Sequence, residues 1–124
     1  MIIAVEGNVG AGKSTMLRTL QAWGHTVVTE PVDAWAHWLE GHGDQDFFEC
    51  VVLAWYCSVM QNPSMRELAR HSTRCLIIER SPYTARHVFA AARGSQLSDA
   101  YEALYQKACA ACKVDVYIFL NTAP

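Results

Sequence analysis

Four short runs rich in apolar and β-branched residues punctuate this chain. They are Met1-Ile2-Ile3-Ala4-Val5-Glu6, Thr26-Val27-Val28-Thr29, Arg74-Cys75-Leu76-Ile77-Ile78 and the stretch from Val114 to Leu120. Such runs, bounded by turn residues, read as strands of a parallel sheet, the first of them buried. Between them lie longer stretches with apolar positions at helical spacing, which predict helices over residues 14–23, 33–40, 47–61, 64–71, 82–93 and 98–113. Gly24, Pro31, the Gly41-His42-Gly43-Asp44 turn, Asn62-Pro63 and Gly94-Ser95 supply the breaks, and Pro82 suits the first turn of its helix. The 47–61 helix is apolar on nearly every face, so burial on several sides is expected. Strand alternating with helix predicts one α/β domain over residues 1–124, three-layered, with a parallel sheet of four strands.

Composition narrows the class. Of 124 residues 52% are hydrophobic and 18% charged, as in a soluble globular protein. The formal net charge of −2, with no run of Lys or Arg, gives no sign of nucleic-acid or membrane attraction. No apolar stretch approaches the roughly 20 residues of a membrane span. The first strand starts at Met1, which is read as leaving no room for a leader, so a reducing, cytoplasmic setting is expected. The five cysteines fit that setting: Cys50, Cys57 and Cys75 lie in apolar runs, and Cys109 and Cys112 form a C-x-x-C inside a helical stretch without a second pair. Packing is the reading preferred for them, because a zinc site needs four ligands. The histidines show no ligand spacing.

The chemistry is concentrated after the first strand. Gly7-Asn8-Val9-Gly10-Ala11-Gly12-Lys13-Ser14, followed by Thr15, has the G-x-x-x-x-G-K-[ST] pattern between a strand and a helix. Its glycines let backbone N–H groups converge on anionic oxygens, and the helix N-terminus adds partial positive charge. Lys13 supplies a charge for the terminal phosphates of ATP, and the Ser14 hydroxyl can ligate Mg²⁺. Lys13 is expected in a solvent-facing loop, so that its loss would spare the fold. A glycine-rich turn that binds nothing is the alternative that this spacing and context disfavour.

In an open parallel sheet the strand C-termini share one edge, where ligands bind. The second run ends at Glu30 and the third at Glu79-Arg80, polar residues that neither propensity nor packing requires there. Phosphoryl transfer needs an acceptor oxygen placed and deprotonated, which suits Glu30 as base. Arg80 can hold that oxygen and offset developing charge, and Glu79 can assist the metal through water.

Taken together, Glu6-Gly7-Asn8-Val9-Gly10-Ala11-Gly12-Lys13-Ser14-Thr15, Glu30-Pro31-Val32-Asp33-Ala34-Trp35 and the run Glu79-Arg80-Ser81-Pro82-Tyr83-Thr84-Ala85-Arg86-His87-Val88-Phe89 resemble the deoxyribonucleoside kinases. The resemblance runs along the whole chain in order. It implies transfer of the ATP γ-phosphate to the 5′-hydroxyl of a deoxynucleoside, with Glu30 as base, Arg80 at the 5′ end and Glu79 serving the metal. It also implies a substrate pocket holding Trp35, Phe48 and a base-stacking Phe89. Ala85 is small where the deoxycytidine and deoxyguanosine enzymes carry aspartate, which resembles the thymidine or pyrimidine type. A homodimer through the helix at 47–60 is implied by analogy alone. Trp38, Trp55 and Phe47 are read instead as core.

Two departures stand out. The family's base-pairing glutamine falls on Glu49, which in ionised form only accepts hydrogen bonds. As the one charged side chain within an apolar helix, Glu49 must face the pocket, find a cation or be protonated. The family's later helix, arginine-rich lid and fifth strand do not follow residue 120, which implies a fragment or a truncated product with weakened catalysis. A thymidylate-type kinase and a nucleotide-binding remnant without catalysis are the alternative readings; the former usually shows R-E-P-G-G and D-R where this chain has Thr29-Glu30-Pro31-Val32 and Glu79-Arg80-Ser81.

Overall fold

In the computed structural model, which describes residues 1–8, 10–94 and 98–121, the four apolar runs become strands. β1 (Ile2–Gly7), β2 (Thr26–Val28), β3 (Leu76–Glu79) and β4 (Val116–Leu120) form one parallel sheet in the order β2-β3-β1-β4. Ile2 pairs with Leu76 and Val5 with Glu79 on one side of β1, while Ile3 pairs with Val116 and Gly7 with Leu120 on the other. The absence of hydrophobic–polar alternation in β1 and β3 now has its cause. Val5 and Ile77 pack with Leu17 on one face of the sheet, flanked by Ile3, Met16, Leu20 and Val27. Ile2, Ala4, Leu76 and Ile78 alternate with them and are equally buried. Both faces are covered, so both parities are apolar.

The helices are α1 (Lys13–Ala22), α2 (Ala36–Leu39), α3 (Gln45–Val59), α4 (Pro63–Arg70), α5 (Pro82–Thr84), α6 (Ala91–Arg93) and α7 (Asp99–Ala111), with a π-helical stretch at Ala85–Ala90 joining α5 to α6. Side chains cap three of them. Asp44 accepts from the Phe47 N–H, Asn62 from Ser64 and Met65, and Ser98 from Tyr101. Each satisfies donors that the first helical turn leaves over. The helix expected at 82–93 is therefore continuous but widened through its middle, a feature that periodicity does not announce.

The chain divides into two compact units, Met1–Thr29 with Gln61–Ser81 and Lys113–Pro124, and Glu30–Met60 with Pro82–Cys112. The first contains the sheet, α1 and α4. In the second, α3 packs on α7 through Leu53, Tyr101, Tyr105 and Ala108, with Cys50, Cys57, Ala85, Leu104 and Cys109 around them. Burial of α3 is narrower than its composition suggests. Leu53 and Tyr56 are inaccessible, but Phe47, expected in the core, is 58% exposed. It leans on Trp38 at 6.2 Å, and Trp38 stacks on Phe48 at 5.2 Å, so the apolar surplus at the start of α3 goes into an aromatic stack. Cys112 is buried, and that burial pushes its thiol up to about 12, which suits a packed residue and not a nucleophile.

Leu53 is the pivot of the α3–α7 packing. Leu53→Ala is expected to lower unfolding free energy by about 2–5 kcal/mol through lost burial and the cavity left behind. Urea denaturation followed by helical circular dichroism checks this; a loss below about 1 kcal/mol would mean that the two helices close the gap by moving together.

Candidate active site

The phosphate loop leaves β1 at Gly7, and each of its described glycines has a physical reason. A Cβ at Gly7 would sit 3.3 Å from the Leu120 carbonyl oxygen and 3.4 Å from the Ala11 Cβ, a close approach between loop and neighbouring strand. Gly10 and Gly12 have open space around them but adopt φ of 86° and 87°, a left-handed conformation that costs other residues free energy. The Ala11 N–H closes the turn on the Asn8 carbonyl at 3.1 Å. Gly12 is the N-cap of α1, and it offers no side chain to the helix's first N–H groups, unlike the caps of α3, α4 and α7. Val9 lies outside the described residues. Ser14 and Thr15 are exposed at the start of α1.

Lys13 corrects the expectation of a solvent-facing side chain. It is 6% exposed, and its Nζ lies 3.2 Å from Glu79 Oε2, whose residue is 9% exposed. The cause is register. Glu79 is the last residue of β3 and pairs with Val5 on β1, so its carboxylate and the first turn of α1 meet at the same sheet edge. Two further links fix this edge. The Arg80 N–H donates to the Val5 carbonyl at 2.9 Å, and the Ser81 hydroxyl donates to Glu6 Oε1 at 2.7 Å with both residues buried. Glu6 and Ser81 were not singled out as a pair by sequence reasoning; a carboxylate closing an apolar strand, with a serine after the next strand but one, is the available signal.

Arg80 adopts φ 60°, the positive φ of a non-glycine residue among those described. Such a residue costs about 1–3 kcal/mol and persists where its surroundings over-determine it, which is common at functional sites. Here the ladder hydrogen bond before it and buried Ser81 and Pro82 after it force the turn.

The second unit collects the remaining candidates: Glu30, Trp35, Phe48, Glu49, Ala85 and Phe89. Pro31 shapes the turn after Glu30, whose carbonyl accepts from Val32 at 2.8 Å. Trp35 is 5% exposed and meets Phe48 and Trp55 edge-on at 5.6 and 5.5 Å. Phe89 is 51% exposed and lies with Ala85 in the π-helical stretch. Glu49 has found a cation: Arg93 Nε donates to its Oε1 at 2.6 Å, and the same guanidinium bonds Asp46. Those two carboxylates raise the Arg93 pKa further above its ordinary value. Arg93 was missed because it lies 44 residues away in sequence, yet a lone charge in an apolar helix asks for such a partner. Arg86, inside the third motif, bonds Glu102 through Nε and Nη2 at 2.9 and 2.7 Å and covers the Tyr105 ring. Hydrogen bonds from Gln106 and from Arg86 hold the Glu102 carboxyl below its usual range.

A parallel α/β sheet with a glycine-rich loop between β1 and α1 defines a P-loop protein. The fold resembles the crystal structure of thymidylate kinase from Ehrlichia chaffeensis with a TM-score of 0.65, covering 99% of this chain and 77% of that one; at 16% identity the likeness is one of fold. The deoxynucleoside kinase family model matches residues 3–124, and the chain belongs to that family. It is 33% identical over 116 residues to a thymidine kinase of Ictalurid herpesvirus 1, covering 77% of this chain and 44% of that protein. It is also 51% identical over 39 residues to a putative deoxynucleoside kinase of Frog virus 3, covering 32% of this chain and 20% of that protein. The chain thus spans less than half the length of these curated relatives. Among the described residues no helix is long and apolar enough to cross a membrane.

The Lys13–Glu79 contact makes a two-step test. Lys13→Met strips a buried carboxylate of this cation and is expected to cost about 3–5 kcal/mol of stability, whereas adding Glu79→Leu should recover most of it. Chemical denaturation of both variants checks this, and a single variant as stable as the parent would show that the pair is solvated.

Proposed function

We propose that the chain carries the phosphate-binding and nucleoside-binding parts of an ATP-dependent deoxynucleoside kinase that acts on the 5′-hydroxyl. The observation that supports this most is the pairing of Lys13 with Glu79, which joins the phosphate loop to the Glu79-Arg80-Ser81 turn in one buried cluster. A loop that merely bound nucleotide would not need the strained Arg80 beside it.

In this reading the loop N–H groups and Lys13 hold the β- and γ-phosphates of ATP. Glu30 takes the proton from the 5′-hydroxyl, that oxygen bonds the γ-phosphorus, and the bond to the β-phosphate oxygen breaks to leave ADP. Arg80 steadies the acceptor oxygen and the charge that spreads over the transferring group. Mg²⁺ fits the donors present, an exposed Ser14 hydroxyl and the Glu79 carboxylate through water, since this ion keeps most of its waters and binds phosphate oxygens. When bound it neutralises phosphate charge. Trp35, Phe48, Glu49, Ala85 and Phe89 form the nucleoside side, and the small Ala85 favours pyrimidines. The free cysteines suit a reducing, cytoplasmic setting, and pairing of two chains through α3 is the assembly suggested by family analogy.

Labelled phosphate transfer from ATP to thymidine, deoxycytidine and thymidine monophosphate tests the reading. Transfer to a nucleoside is expected; transfer to the monophosphate alone would replace it with the thymidylate-type alternative. Glu30→Gln keeps the shape and loses the base, so turnover should fall about 10²–10⁴-fold while nucleoside affinity holds. Collapse of affinity with turnover of bound substrate intact would make Glu30 a binding residue.

A further inference from the structure

Among the described residues one buried phenol is left unsatisfied. Tyr101 is 3% exposed, and its hydroxyl has no hydrogen-bond partner among the described residues. Burying a hydroxyl without a partner is costly, so nearly all such atoms are bonded and an orphan points to a ligand. The ring belongs to the apolar α3–α7 cluster with Leu53, Tyr105 and Ala108, against which Cys50 and Ala85 pack. Burial first, and then the charge of Glu49, push the phenol up to about 12, so it keeps its proton and stays a donor. Glu49, one helical step from Cys50, is gripped by Arg93, whose guanidinium also holds Asp46. An ion-paired carboxylate accepts hydrogen bonds and donates none.

We propose that Tyr101 Oη and the Glu49 carboxylate together read the edge of a pyrimidine base, the phenol donating to a ring acceptor and the carboxylate accepting from the adjacent N–H. Thymine presents such a pair as O4 and N3–H, and cytosine as N3 and N4–H. Two side chains, one on α7 and one on α3, share what a single amide would do. Arg93 acts as a positioning residue that fixes the acceptor. The inference rests on the deoxynucleoside reading above, and it adds a residue from outside all three sequence motifs.

Isothermal calorimetry on the full chain with thymidine, deoxycytidine and ATP provides the test. Tyr101→Phe keeps the ring and removes one hydroxyl, so nucleoside binding should weaken about three- to tenfold, the usual worth of one hydrogen bond. ATP affinity should be unchanged, and the Tm of the ligand-free variant should not fall, because an unsatisfied group has been removed. In the Glu49→Gln background the amide brings its own donor, and the same Tyr101→Phe change should cost less than about twofold. Equal nucleoside affinity with and without the hydroxyl, the same penalty in both backgrounds, or a lower Tm for Tyr101→Phe would each overturn the pairing. A parent chain that binds ATP but neither nucleoside would overturn the kinase reading itself, and the pairing with it.

Discussion

A buried ammonium facing a buried carboxylate holds the phosphate end of this protein together. Lys13 and Glu79, 3.2 Å apart, stand where water would otherwise solvate both charges. Taking two ions out of water is expensive, and their attraction repays it only when geometry is fixed by something else. Here the fixing agents are backbone features: the Val5–Glu79 register, the Arg80 N–H on the Val5 carbonyl, and the left-handed glycines that start α1 directly after the loop. The buried Ser81 hydroxyl, donating to Glu6, adds a second tie between the ends of β1 and β3. The strain in Arg80 is understandable on the same terms, because a turn tied at both ends cannot relax to a common conformation.

Much of this was legible in the chain. The four strands fall where continuous apolar runs end in polar or glycine residues, and burial of β1 and β3 on both faces follows from the lack of alternation in Ile2-Ile3-Ala4-Val5 and Leu76-Ile77-Ile78, whereas β4, at the end of the sheet order, leaves Val116, Tyr117 and Phe119 exposed despite an equally apolar sequence. Phosphate-loop spacing is local, so a reader of the sequence recovers it whole. Burial of Lys13 was not legible, since nothing near residue 13 in sequence reveals that residue 79 arrives beside it. The π-helical stretch escaped for a related reason: Ala85 to Ala90 has ordinary helix-forming composition, and the widening is a tertiary outcome.

Glu49 shows how far electrostatic reasoning carries. In the helix expected from Phe47, Glu49 was the single charge and demanded a partner, with three answers open; α3 starts earlier, at Gln45, and carries Asp46 as well. The fold supplies a cation, Arg93, together with Asp46 one turn before Glu49 on the same helix. What decided among the answers is the end of the helical run after Pro82, which brings Arg93 to the start of α3. The glycine-rich loop is thus written in one contiguous motif, while the Glu49–Arg93 and Arg86–Glu102 pairs of the second unit join residues far apart in sequence. The deoxynucleoside kinase family match runs across both, over residues 3–124.

The sheet order has a consequence for assembly. β1 precedes the other three strands in sequence, yet it sits inside the sheet, between β3 and β4, whose residues lie some 70 and 110 positions further along. Every bond on its two edges is therefore a long-range one, and closing such loops slows folding. Gly7 packs against Leu120, the end of the last strand. The loop that follows β1 therefore reaches its final shape only when β4, some 110 positions further along the chain, has docked beside it.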